Sequence, residues 1–101
     1  MGNGKLLWTI IGAPIIQELI FRFIPYKFFY LPIGNYWQIG IASSLIFALT
    51  HWYFGKWFIV ASFFAGLLYW WSMVNFGLVA AILTHSSVNI AWLVSKKFLK
   101  K

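Results

Sequence analysis

Six polar side chains stand out in an otherwise apolar chain: Gln17, Glu18 and Arg22 in one stretch, His51 in a second, and His85 with Asn89 in a third. Glu18 and Arg22 are four residues apart, as are Phe47 and His51, and His85 and Asn89, so on helices each couple shares one face. Two chemistries suit such a set. In one, His51, His85 and a carboxylate hold zinc and leave a fourth position open to water, although no two of these ligands have the spacing of an HExxH helix. In the other, which needs no cofactor, a carboxylate and a His activate water while a second His and an Asn donate to the developing oxyanion. His85 and Asn89, one turn apart, are well arranged for that second task. A nucleophilic serine fits less well, because Ser43, Ser44, Ser86 and Ser87 read as helix-packing serines and the chain has no Asp to complete a Ser-His-Asp set. The absence of Cys excludes disulfides, thiol catalysis and Cys-based metal sites.

These groups must be positioned by elements that live in lipid. The chain has 101 residues, 62% hydrophobic, 23% aromatic and only 9% charged, with a mean hydropathy of +0.82, whereas a soluble domain is about a quarter charged. A net charge of +7 would suggest nucleic acid in a soluble protein. Here the basic residues sit in breaks between apolar runs and at the C-terminal end, so the expected partner is the bilayer and nucleic acid is excluded. At about 20 apolar residues per crossing, the breaks divide a single domain, 1–101, into spans of about 6–24, 37–53, 57–73 and 76–94.

The first span is expected to stop before Pro25, since the residue preceding a proline resists the helical region. Pro14 should kink it, which membrane helices tolerate where a neighbour satisfies the freed carbonyl. No small-residue cleavage site follows Lys5 and its apolar run, so this segment reads as a retained span, not a signal peptide. Residues 25–36 combine Pro32, a Gly34-Asn35 turn signal and aromatics beside Lys27, a composition suited to the headgroup region. Connections at 54–56 and 74–75 are short enough to force antiparallel neighbours. The predicted fold is therefore an all-α, integral membrane four-helix bundle, antiparallel up-down, with an interfacial segment between helices 1 and 2. The third span carries the small-xxx-small pairs Ala61/Ala65 and Ser62/Gly66, which let helices approach closely, and its role reads as structural.

Each polar residue also has a plain reading. Glu18 with Arg22 can be a buried ion pair that fixes packing, His51 a hydrogen-bonded or snorkelling side chain near an interface, and Asn89 an interhelical donor. Taken together, six such groups on three short spans within reach of one cavity argue for a site.

The residues resemble a known family. Gln17-Glu18-Leu19-Ile20-Phe21-Arg22 is similar to an EExxxR motif, Phe47-Ala48-Leu49-Thr50-His51 to FxxxH, and His85-Ser86-Ser87-Val88-Asn89 to the HxxxN of the CPBP family, the CAAX proteases and bacteriocin-processing enzymes also called Abi proteins. The resemblance covers about residues 17–91. It implies an intramembrane endopeptidase of the bacterial plasma membrane, hydrolysing peptide bonds near the cytoplasmic surface in prenylated or leader-bearing substrates. By resemblance, His51 orients and helps activate water, His85 and Asn89 form the oxyanion hole, and Glu18 with Arg22 is a mainly structural pair. The sequence departs from the motif at its first Glu, where it has Gln17, and an amide cannot take a proton from water. Three readings follow: a deliberately inactivated form, a natural non-proteolytic relative, or Glu18 acting as base. The family's prenyl proteases carry helices ahead of the first motif, so the chain reads as a minimal bacterial form or an excised core. The alternative function is a non-catalytic membrane subunit, an immunity or assembly factor that binds a peptide or a membrane-protein helix in the degenerate site.

Trp37, Trp52, Trp57, Trp70, Trp71 and Trp92 fall near the predicted span ends, where interfacial Trp belongs. Lys5, Lys56, Lys96, Lys97, Lys100 and Lys101 share one side of a four-span hairpin, and only Lys27 falls on the other. The positive-inside rule then puts both termini in the cytoplasm. Single cysteines at Lys5, Asn35, Gly55, Asn75 and Lys100, probed with an impermeant thiol reagent, should label from outside only at Asn35 and Asn75. Outside labelling of Gly55→Cys would overturn the topology.

Overall fold

Residues 3–99 are described by a computed structural model, and apart from short turns they are helical, with no strand among the described residues. Four helices result: α1, Gly4–Ile33; α2, Tyr36–Leu49; α3, Lys56–Phe76; and α4, Leu78–Leu99. Three of them, α1, α3 and α4, are long and apolar enough to cross a membrane, while α2 has 14 residues and is shorter. Lys100 and Lys101, counted above toward the topology, lie outside the described residues.

The first helix departs most from expectation. It does not stop before Pro25 but continues to Ile33, so residues 25–33 belong to α1 and form no separate segment. The reason is a change in helical pitch. Three π-helical segments interrupt α1, Trp8–Gly12, Leu19–Phe23 and Tyr26–Tyr30, and Pro14, Pro25 and Pro32 each follow the last residue of one by two positions. A proline ring in an α-helix collides with the carbonyl four residues back. That carbonyl belongs here to Ile10, Phe21 or Phe28, the middle residue of each π segment, where the wider turn gives the ring room. The bonds ahead of the prolines run to the fifth residue back: Ala13 N–H to Trp8, Ile24 N–H to Leu19 and Leu31 N–H to Tyr26. The helix ends where the turn signal stands, at Gly34 with φ 86°, whose N–H closes on the Tyr30 carbonyl at 2.7 Å.

The other boundaries shift less. Helix α2 ends at Leu49 rather than near 53, so His51 sits in the turn beyond it, followed by the single turn Trp52–Phe54. Gly55, φ 105°, launches α3, and the connection expected at 74–75 is instead Gly77 alone, φ 99°, between α3 and α4. All three left-handed positions among the described residues are glycines, which bear that conformation without a Cβ penalty.

Helix α2 packs on α3, α3 on α4, and α4 returns to the N-terminal half of α1. The interior collects polar groups, with Glu18, Arg22, Ser43, Ser44, Ser62, Ser72 and His85 all buried, whereas Phe64, Val79 and Leu83 face outward. That inversion is expected where the surrounding solvent is hydrocarbon. The anchor at the far end from the Lys56 turn is Trp70, 1% exposed, whose Nε1 donates to the Tyr36 carbonyl at 3.1 Å. It fits because residue 40 is glycine: a Cβ there would lie 2.4 Å from Trp70 Cδ1 and 2.6 Å from Nε1. A rigid indole cannot yield by that much, and overpacking typically costs about 1 to 3 kcal/mol. Gly40→Ala should therefore lower the melting temperature in detergent, while Gly4→Ala, which meets nothing within 4 Å, should leave it unchanged. Equal melting of the two variants would count against this account of the α2–α3 contact.

Candidate active site

Gln17 and Glu18 are neighbours in α1, and successive helical positions point about 100° apart. Gln17 accordingly lines a cleft of about 190 Å3 together with Thr9, His51, His85 and Asn89. Glu18 lies beneath, with no exposure. A second, more apolar cavity of about 130 Å3 extends from the same His51, His85 and Asn89 between α3 and α4, past Ala61 and Ala65. The three polar stretches picked out from the sequence thus converge on one place.

The sole acidic side chain, Glu18, has two partners. Arg22 Nε stands 3.5 Å from Glu18 Oε1, one turn along the same helix, and His85 Nδ1 donates to Glu18 Oε2 at 2.7 Å from α4. The sequence pairing of Glu18 with Arg22 is therefore present, and the link to His85 extends it to the cleft. The Arg22 guanidinium, also without exposure, finds no hydrogen-bond acceptor for Nη1 or Nη2. Instead its Cζ lies 4.7 Å from the centroid of Phe47 and 5.3 Å from that of Tyr69, so two π faces take the place of oxygen partners. Gly66 leaves the room this needs, since a Cβ there would lie 3.0 Å from Arg22 Nη2 and from Ser44 Cβ.

Rings fix the two histidines. His85 stacks on Tyr69 with centroids 4.4 Å apart and planes 13° from parallel, and Phe47 meets it edge-on at 5.6 Å. Phe47 also meets His51 at 4.9 Å. His51 Nδ1 donates to the Phe47 carbonyl at 2.9 Å, which assigns the proton to Nδ1 and leaves Nε2 with a free lone pair. For His85, Nδ1 is engaged with Glu18, so Nε2 is the nitrogen left for the cleft. Asn89 Nδ2 donates to the Thr9 carbonyl of α1 at 2.9 Å, and one amide N–H remains.

Zinc finds a poor donor set here. Among the described residues no three His, Cys, Asp or Glu side chains gather as ligands, and Glu18 is committed to Arg22 and His85 below the cleft.

Sequence reasoning missed three contributors. Tyr69 belongs to a helix read as structural, yet Ser62, Gly66, Tyr69 and Met73 form one buried face at helical spacing, a signal already present in the pattern. Ser86, read as a packing serine, donates to the Ile10 carbonyl at 2.7 Å. Thr9 contributes its backbone, which no side-chain pattern can announce.

A family model described as Type II CAAX prenyl endopeptidase Rce1-like matches residues 4–91. The chain belongs to this family. No individual curated protein and no solved structure matches it. The Rce1-like family is one of CAAX proteases, hydrolases with peptide or protein substrates in a membrane, and three helices of this member are long and apolar enough to span one.

Removing Arg22 leaves a fully buried carboxylate with one neutralising partner fewer, a change that typically costs about 3 to 5 kcal/mol. Removing His85 deletes a buried hydrogen bond but keeps the ion pair, typically about 1 to 3 kcal/mol. Arg22→Ala should accordingly melt well below His85→Ala in the same detergent. Coincident unfolding curves for the two would show that the Glu18–Arg22 pair does not hold the bundle.

Proposed function

We propose that this chain has the architecture of an intramembrane endopeptidase that hydrolyses peptide bonds with an activated water. The observation that carries the reading is the convergence of Gln17, His51, His85 and Asn89, from three separate sequence stretches, on one cleft. The proposed arrangement is one domain of antiparallel helices with both termini in the cytoplasm, cutting prenylated or leader-bearing peptides near the cytoplasmic surface of a bacterial plasma membrane.

In the proposed reaction, water held between position 17 and His51 Nε2 attacks the scissile carbonyl, and its proton goes to a carboxylate base, which the family motif has at position 17 and this chain replaces with Gln17. Negative charge develops on the carbonyl oxygen and is met by His85 Nε2–H and the second N–H of Asn89. With Nδ1–H already given to Glu18, donation from His85 Nε2 in this proposed step requires both ring nitrogens to carry a proton. Collapse of the tetrahedral intermediate breaks the C–N bond, and the base at position 17 returns its proton to the leaving amine. Glu18 and Arg22 stay below the cleft and touch no substrate.

Gln17 favours a second reading. Its amide can orient water but cannot take a proton, so the same cleft would serve a non-catalytic membrane subunit that binds a peptide or a helix of a membrane-protein partner. Restoring a carboxylate decides between them. Because a general base typically contributes roughly 10² to 10⁴-fold, Gln17→Glu should raise cleavage by about that factor. The gain should vanish when His51→Ala or His85→Ala is added, and chelators should leave it intact if no zinc takes part. No cleavage by Gln17→Glu on prenylated, leader-bearing and membrane-helix substrates would leave the binding subunit as the better account.

A further inference from the structure

Pro14, Pro25 and Pro32 sit alike, each two residues past a π-helical segment of α1, but their surroundings differ. Pro14 is fully buried, Pro25 half-buried and Pro32 exposed. A proline supplies no N–H to the carbonyls four and five residues back, which for Pro14 are those of Ile10 and Thr9. The N–H of Ala13 reaches past both to Trp8. These two carbonyls are the ones that α4 takes: Asn89 Nδ2 donates to Thr9 at 2.9 Å and Ser86 Oγ to Ile10 at 2.7 Å. Among the described residues no side chain donates to the corresponding carbonyls behind Pro25, Phe21 and Ile20, or behind Pro32, Phe28 and Lys27. The one proline whose freed carbonyls are claimed by another helix is thus the one beside the cleft, where Thr9 and Asn89 both line the wall.

We infer that Pro14 and Ser86 are positioning residues for Asn89. The missing N–H at position 14 presents the Thr9 carbonyl as a fixed acceptor. The Ser86–Ile10 bond, three residues from Asn89 on the same helix, holds α4 in register with that acceptor. One Asn89 N–H is thereby tied down, which fixes the plane of the amide and aims its second N–H into the cleft. An amide free to rotate would have to be ordered anew in every turnover, whereas a clamped one meets the oxyanion without reorganisation. The inference rests on the reading of Asn89 as an oxyanion donor. Pro14→Ala should undo the clamp without deleting any catalytic group, because the restored N–H competes for the same two carbonyls.

Two readouts test this. The first needs no activity: in the chain as it stands, labelled with 15N at Asn, the side-chain amide resonance assigned to Asn89 by its loss in Asn89→Asp should move in Pro14→Ala and Ser86→Ala. It should stay in place in Pro25→Ala and in Ser86→Thr, which keeps the hydroxyl. The second is kinetic, in the Gln17→Glu background. Asn89→Ala should lower kcat by roughly 10² to 10³-fold, and Pro14→Ala and Ser86→Ala by a smaller factor, about ten-fold, with KM held and Ser86→Thr restoring the rate. A purely structural role would shift melting without splitting kcat from KM. An Asn89 amide unmoved by Pro14→Ala overturns the clamp even in an active enzyme. If Gln17→Glu cleaves nothing, the functional reading and the catalytic half of this inference fall together, while the resonance still decides the clamp.

Discussion

A single carboxylate organises the bundle. Glu18 is the only acidic residue of the chain, it is completely buried, and a charge in that position persists only with partners close by. Its partners draw in every helix. Arg22 stays on α1 but lies against Phe47 of α2 and Tyr69 of α3, and His85 comes from α4. Tyr69 then stacks on His85 and closes the circuit. Where the outer surface is as apolar as the lipid around it, burying more hydrocarbon gives little preference for one helix arrangement over another. A charge that can be satisfied by only one arrangement supplies that preference.

Backbone polarity is the second constraint. Hydrocarbon offers no water to an unpaired carbonyl, and α1 contains three prolines. Widening the turn ahead of each keeps the helix continuous through positions where α-geometry would break. The cost of the buried one is met by side chains from α4. The same two bonds that satisfy the backbone also bring Asn89 to the cleft wall.

The polar residues that matter were legible in the sequence because lipid makes them conspicuous: Gln17, Glu18, Arg22, His51, His85 and Asn89 are, with Gln38, the only charged, imidazole or amide side chains within the predicted spans, and the four-residue spacings of Glu18 with Arg22 and of His85 with Asn89 lie within helices of the structure. The helix ends were less legible. The rule that a helix stops before proline assumes α-geometry, and α1 escapes it at Pro25 by adopting another pitch. Helix α2 stops at Leu49 because Thr50 and His51 both turn back on the Phe47 carbonyl, a local competition that apolar periodicity does not register. The bond between Glu18 and His85 spans 67 positions and follows from the packing of α1 against α4, which no spacing within either segment encodes.

Helix α2 is short in a way that bears on how a bilayer would meet the protein. Its 14 residues rise about 21 Å, well under the roughly 30 Å of an ordinary hydrocarbon layer. Such hydrophobic mismatch is relieved by thinning of the bilayer around the short element. The cleft opens beside the turn at one end of this helix, where His51, Tyr53 and Phe54 line it. Headgroups and water drawn down along α2 would therefore shorten the depth to which a peptide must leave the aqueous phase.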